Sequence, residues 1–381
     1  MFALALALLI AVAAHPRPSL PVVLGPRKTT NTTPVYRFVS PERGVRQSRI
    51  RFRCAFDSPR LYACAARLVQ PLGVGRHVLR VQAVDPRGRR SRVRKVAIRI
   101  VRPSGPLQVV ATGSHPFSLT EADGSIWIAN FGDGMVRRLD PATNRVIARI
   151  RIGGQPFGIT AGGGSVWVGN NGSDDVTRIS TATNAVVART TIGDRPIGLA
   201  YAGGSVWVAD FGDARVVRID AATNAIAASA TVPGEHEDVA IGFSSVWVPS
   251  EEGTLTRLDP STLAVHATIR VGNDPDFALV ADGAVWTTAY ADTFISRVDP
   301  ATNSISRRVP ATDGTQGIAF DGGNLWVADY NRSRLLKLNA TTGEVLGRWR
   351  TGAAPRDVLL SSGSVWVANS RDTTLTRLTP R

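Results

Sequence analysis

Along the last two thirds of the chain, apolar and polar positions alternate over short runs, and the alternation restarts at a fixed interval. In Gly203 to Thr223, GGSVWVADFGDARVVRIDAAT, two glycines lead into Val206, Trp207 and Val208; a polar turn follows, and Val216, Val217 and Ile219 resume the apolar run. Runs this short, rich in β-branched and aromatic residues and divided by Gly, Asp and Asn, predict strands joined by turns rather than helices. Close copies centre on Trp127, Trp167, Trp207, Trp247, Trp286, Trp326 and Trp366, spaced 40, 40, 40, 39, 40 and 40 residues apart. Such a period marks one supersecondary unit, here present in seven copies.

In the third copy the predicted strands are Ile197 to Ala200, Ser205 to Ala209, Arg215 to Ile219 and Ala225 to Val232. The reversal before the fourth strand reads Asp140-Pro141-Ala142-Thr143-Asn144 in the first copy and Asp299-Pro300-Ala301-Thr302-Asn303 in the fifth. Asp can accept from an amide further along the turn, Pro presets φ, and Asn tolerates the left-handed conformation. Gly343 stands in the Asn position of the sixth copy, as that reasoning allows.

A four-stranded unit cannot bury its own apolar faces, so neighbours must stack, and radial closure protects their edges. The pattern therefore predicts an all-β chain whose residues 105–381 form a seven-bladed β-propeller. After Trp366 the chain supplies only a third strand, Thr374 to Leu378, before stopping at Arg381. Leu107 to Thr112 stands before the first copy where Val186 to Thr191 stands before the third, and is expected to complete the last blade.

The front of the chain follows a different pattern. Residues 1–14 contain one apolar run, Phe2 to Ala14, too short to span a bilayer. Its Ala-Val-Ala ending at Ala13 suits a secretory cleavage site, although no basic residues precede it, and the segment is expected to be a signal peptide. Residues 15–34, rich in Pro, Arg and Thr, are expected to be a linker. From 35 to 103, alternation returns: Ile50, Phe52, Cys54 and Phe56 fall on one face and Arg49, Arg51 and Arg53 on the other. Leu79, Val81 and Ala83 repeat it, as do Val96, Ile98 and Ile100, which predicts a small β-sandwich. Cys54 and Cys64, the only cysteines, most simply form a disulfide in an exported chain and stay reduced in a cytosolic one.

The net charge of +15 is uneven. Residues 15–104 carry 21 Lys and Arg against 3 Asp and Glu, whereas the remainder is slightly acidic. Such a field would attract an anionic surface polymer. The Arg/apolar alternation also accounts for it as a solvated face, and no nucleic-acid motif accompanies it, so nucleic acid is not an expected partner.

Two resemblances follow. RFRCAFDSPRLYAC (Arg51 to Cys64) and GRHVLRVQAVDPRGRRS (Gly75 to Ser91) resemble bacterial Ig-like repeats, which implies an Ig-like sandwich acting as spacer or adhesive module. GGSVWVGN, VWVAD and LDPATN resemble YVTN/YncE-type and streptogramin (virginiamycin B) lyase-like propellers. That fold hosts lyases, lactonases and binding modules, so function must come from a site.

Loops leading to each innermost strand converge on one mouth of the channel. Eleven residues before each Trp stand Pro116, Pro156, Pro196, His236, Pro275, Thr315 and Pro355; the next residues are Phe117, Phe157, Ile197, Glu237, Asp276, Gln316 and Arg356. Copies four and five depart most, with Glu235-His236-Glu237-Asp238 and then Asp274 and Asp276. Clustered carboxylates of this kind suit Mg²⁺ or Ca²⁺, so Glu235, Glu237, Asp238, Asp274 and Asp276 are candidate metal ligands. Gln316, Arg356 and Asp357 are candidate ligand-binding residues across the ring, and His236 is a candidate base. The lyase resemblance implies two histidines on neighbouring blades with a carboxylate-held Mg²⁺, but only His236 stands at a mouth position. The expected function is an exported propeller that binds a protein partner or small ligand at its channel mouth. The alternative is a divalent-metal-dependent lyase or lactonase.

Overall fold

A computed structural model describes residues 17–29, 35–41, 46–69, 72, 75–100 and 107–380; the expected signal peptide lies outside the described residues. The chain divides into two compact units, Met1–Arg102 and Pro103–Arg381.

In the front unit, a three-stranded sheet (Val22–Leu24, Val35–Val39, Arg67–Val69) and a five-stranded sheet (Lys28–Thr29, Arg94–Ile100, Gly75–Val84, Arg51–Phe56, Tyr62–Cys64) share one core. Tyr36 and Phe38 face Phe52, Leu79 and Val81 there. The alternation of apolar and Arg positions explains this, because strand side chains point to opposite faces in turn. Cys54 and Cys64 form a disulfide between adjacent strands, with Cα atoms 5.9 Å apart. The stretch expected as a linker is partly strand: Val22–Leu24 pairs with Val35–Val39, and Val23 is buried. Its Pro and Arg content masked two short strands, Val22–Leu24 and Lys28–Thr29, the first of which adds Val23 to the core.

The second unit is a β-propeller. It contains seven four-stranded antiparallel sheets, and their first strands touch in cyclic order, the last meeting the first. The third sheet runs Pro196–Ala202, Ser205–Asp210, Arg215–Asp220 and Ile226–Thr231. The seventh comprises Pro355–Ser361, Ser364–Asn369 and Thr374–Leu378, completed by Leu107–Ala111, in which Val110 pairs with Leu375. Second strands are buried along most of their length, whereas fourth strands expose alternate residues. Each repeat Trp sits in the former. Trp127 packs against Val166 and Val168 of the next sheet and donates its indole N–H to Ala122 O at 3.2 Å.

One contact recurs between sheets. The arginine on the third strand stacks over its own sheet's Trp and reaches the reversal of the next sheet. Arg138 lies 5.0 Å from the Trp127 ring and donates to Thr181 O and Asn184 Oδ1. Arg178 likewise reaches Ala221 O and Asn224 Oδ1, and Arg257 reaches Pro300 O and Asn303 Oδ1. Arg377 closes the circle on Pro141 O and Asn144 Oδ1. The reversal's Asn therefore has two tasks: it takes the left-handed conformation (φ 57° at Asn144) and accepts from a neighbour's guanidinium. Where Leu263 occupies that place, Arg218 keeps only the Pro260 carbonyl.

Candidate functional site: the channel and its mouth

The position eleven before each Trp is buried in all seven copies. Proline fits such an inward slot, and His236 inherits it. His236 is fully buried; its Nε2 donates to Val232 O at 2.8 Å and its Nδ1 stands 3.2 Å from Pro249 O. Burial pushes its pKa down and keeps it neutral. Both ring nitrogens of this residue, expected as a base, face backbone carbonyls and neither faces the channel. The innermost strands of copies four and five are short, Ala240–Gly242 and Ala278–Ala281, against seven residues elsewhere.

At the next position Phe117, Phe157, Ile197, Glu237 and Arg356 line the channel, whereas Asp276 and Gln316 are buried. Around it lies a cavity of about 190 Å³ bounded by Phe117, Phe157, Ile197, Glu237 and Arg356, among others. The inner strands approach closely because of glycine. A Cβ on Gly158 would lie 1.8 Å from Ile197 O, and one on Gly198 would lie 2.5 Å from Asp238 Cα. Where the corresponding position is Asp, the side chain bridges the strands instead. Asp238 Oδ2 accepts from Ala278 N at 3.0 Å, and Asp357 Oδ2 accepts from Ser118 Oγ at 2.9 Å and Leu119 N at 2.8 Å. Asp238 and Asp357 are thus ties between sheets, and both also line the cavity. Burial raises both, Asp238 to about 7.

Sequence and structure agree on the gathering of charge from copies four to seven. Arg356 donates to Glu237 Oε2, and its guanidinium lies 5.1 Å from the Phe117 ring and 4.8 Å from the Phe157 ring. Gln316 Nε2 donates to Asp276 Oδ2, while the buried Gln316 Oε1 has no partner. Burial, then repulsion from Glu237 and Asp274, pushes Asp276 up to about 9; Asp274 is raised by burial and by Glu237. Glu235 is exposed and reaches Arg195 only at 4.0 Å.

Among the described residues, no three His, Cys, Asp or Glu side chains are grouped so as to hold a metal ion. Of the expected set, Glu237, Asp274 and Asp276 act on one another through charge, whereas Glu235 is exposed. Glu237 pairs with an arginine, Asp276 accepts from a glutamine and Asp238 from a strand amide.

The sequence reading missed the residues four after each Trp. These are Phe131, Asn171, Phe211, Glu251, Tyr290, Tyr330 and Ser370. Phe131 stacks on Phe117 with centroids 4.9 Å apart, and Arg195 lies 4.7 Å from the Phe211 ring. Glu251 joins the acidic side and is raised to about 7 by desolvation, then by Glu237, Asp274 and Glu235. The signal was available as aromatic residues at a constant offset inside an otherwise polar turn.

Comparison with known proteins supports the fold and leaves activity open. No family model and no curated protein matches the chain. Among solved structures, one titled hydrazine synthase from Kuenenia stuttgartiensis superposes with a TM-score of 0.62 at 18% identity, covering 73% of this chain and 97% of that one. In all, 1225 solved chains match, a breadth that makes the likeness evidence of fold alone.

Proposed function

We propose that the chain is an exported binding protein: a seven-bladed propeller of the YVTN/YncE and streptogramin-lyase kind behind an Ig-like sandwich, recognising a partner or small ligand at its channel mouth. The observation that carries this reading is the cavity of about 190 Å³ in which the Glu237–Arg356 pair lies against Phe117 and Phe157. Its walls combine apolar faces with a few converging polar groups, as ligand pockets do, and its volume, below their usual range, suits a small polar ligand or one side chain of a partner. A disulfide is compatible with an oxidising compartment, and no helix among the described residues is long and apolar enough to cross a membrane. The alternative, a metal-dependent lyase or lactonase, is not favoured, because His236 is turned away from the channel.

The test is calorimetric titration with a panel of amines, amino acids, sugars and lactones, including a streptogramin B. Saturable binding that is lost in Arg356→Ala and in Asp276→Asn supports the reading. Binding that survives both substitutions places the ligand elsewhere and overturns it. Lactone turnover that depends on His236 replaces it with the enzymatic alternative.

A further inference from the structure

A second concavity opens beside the channel, where loops of the first, second, sixth and seventh sheets meet. It has a volume of about 690 Å³ and shares only Phe117 with the channel cavity. That size is within the range of pockets that bury an organic ligand, and the channel cavity is below it.

Its electrostatics are opposite to those of the acidic side of the mouth. Asp133 is the only carboxylate among its lining residues. Arg137 neutralises it through bonds of 3.0 and 2.7 Å, and Asp133 also accepts from Ser114 N. Arg151 and Arg371 line the same groove, both exposed, and neither has an ion-pair partner among the described residues. The groove therefore keeps two uncompensated positive charges on a unit that is otherwise slightly acidic.

Flat surfaces accompany the charges. Phe131 belongs to a three-ring cluster with Phe117 and Phe157. Tyr330 carries the Arg371 guanidinium 5.4 Å from its ring centroid. Between them the floor is bare backbone. Gly153 has a φ of +71°, and a Cβ there would meet nothing within 4 Å, so the floor is open at that residue.

Guanidinium groups beside aromatic faces recognise planar anions, because the charge pairs with the acid while the rings cover the plane. We infer that this groove is a binding site for a planar organic anion, an aromatic carboxylate, sulfonate or phosphate, held by Arg151 and Arg371 against Phe131 and Tyr330. The site is separate from the channel reading and does not depend on it.

The probe is 2-naphthalenesulfonate, titrated calorimetrically into the full chain beside its neutral analogue 2-naphthalenemethanol. One saturable site is expected, at least about tenfold tighter for the sulfonate than for the alcohol and weakened by added salt. The double variant Arg151→Gln/Arg371→Gln should lose about tenfold or more in affinity, as should Phe131→Ala. Both arginines are exposed, so the double variant should melt like the parent. Asp276→Asn should bind the sulfonate like the parent, which separates this site from the channel. Equal affinity for sulfonate and alcohol, unchanged affinity in the double arginine variant, or no saturable sulfonate binding overturns the inference.

Discussion

Arg356 pairs with Glu237 from 119 residues away, joining the innermost strand of the seventh sheet to the loop before that of the fourth. The side chains are 12% and 19% exposed, and removing one member of so sheltered a pair strands the other. Arg356→Ala should therefore lower stability by about 3 kcal/mol in denaturant unfolding, and Arg356→Ala/Glu237→Gln should recover part of it. If the single and double variants are equally unstable, the loss comes from the Phe117 and Phe157 contacts rather than from the charge.

Stability should fall as pH rises from 7 to 9. Asp276 and Asp238 have folded pKa values near 9 and 7, above their ordinary 3.8. The folded chain thus binds protons that the unfolded chain has released, and this stabilisation is lost as pH rises through the folded values. The lowered pKa of His236 acts oppositely, but only below its ordinary 6.5. Each extra bound proton corresponds to a slope of up to about 1.4 kcal/mol per pH unit, and Asp276→Asn should flatten the profile by about that much. A parent profile already flat between pH 7 and 9 contradicts the protonated carboxylate.

Deleting residues 107–112 should remove the outer strand of the seventh sheet and broaden the melting transition. Val110→Ala, which keeps the strand but opens a cavity against Leu375 and Trp366, should cost about 2 kcal/mol. A deletion variant that melts like the parent would mean that Leu107–Ala111 does not hold the ring closed.

Trp207→Ala should cost about 3 to 5 kcal/mol, because its ring fills the space between the third and fourth sheets, with Val246 and Val248 beyond it. Circular dichroism melts would check this; a loss below about 1 kcal/mol is inconsistent with a core cavity of that size.

The repeat, its turns and the strand that closes the last sheet were legible because they rest on local chemistry at a constant period. The orientation of His236 was not legible, for a physical reason. The residue broke the repeat's consensus at a position that looked like mouth, but the prolines it replaces are themselves buried, and a substitution inherits the direction of its slot. The gathering of Glu237, Asp276, Gln316 and Arg356 was legible from alignment of the copies. What each oxygen does was not, since Asp238 and Asp357 turn sideways to bond a neighbouring strand's amide. The groove of Phe131, Arg151, Tyr330 and Arg371 draws on separate sheets, and no window of sequence contains it.

The arginines that reach from sheet to sheet do not do so everywhere. At the sixth sheet the place is taken by Lys337, which turns back to Asp321 of its own sheet, and Trp349 packs against Trp326 at 5.1 Å instead. The fifth sheet's Arg297 also turns back, to Asp282 O and Ser306 Oγ, but Arg307 of its outer strand reaches Thr341 O of the sixth sheet, so among the described residues only the sixth-to-seventh junction lacks a guanidinium clasp. Apolar contact without such a clasp resists sliding less, so the outer edge between the sixth and seventh sheets is where amide exchange should be fastest. The propeller then behaves as a clasped band with one loose seam, and any breathing of the ring begins beside the two sheets that carry Gln316 and Arg356.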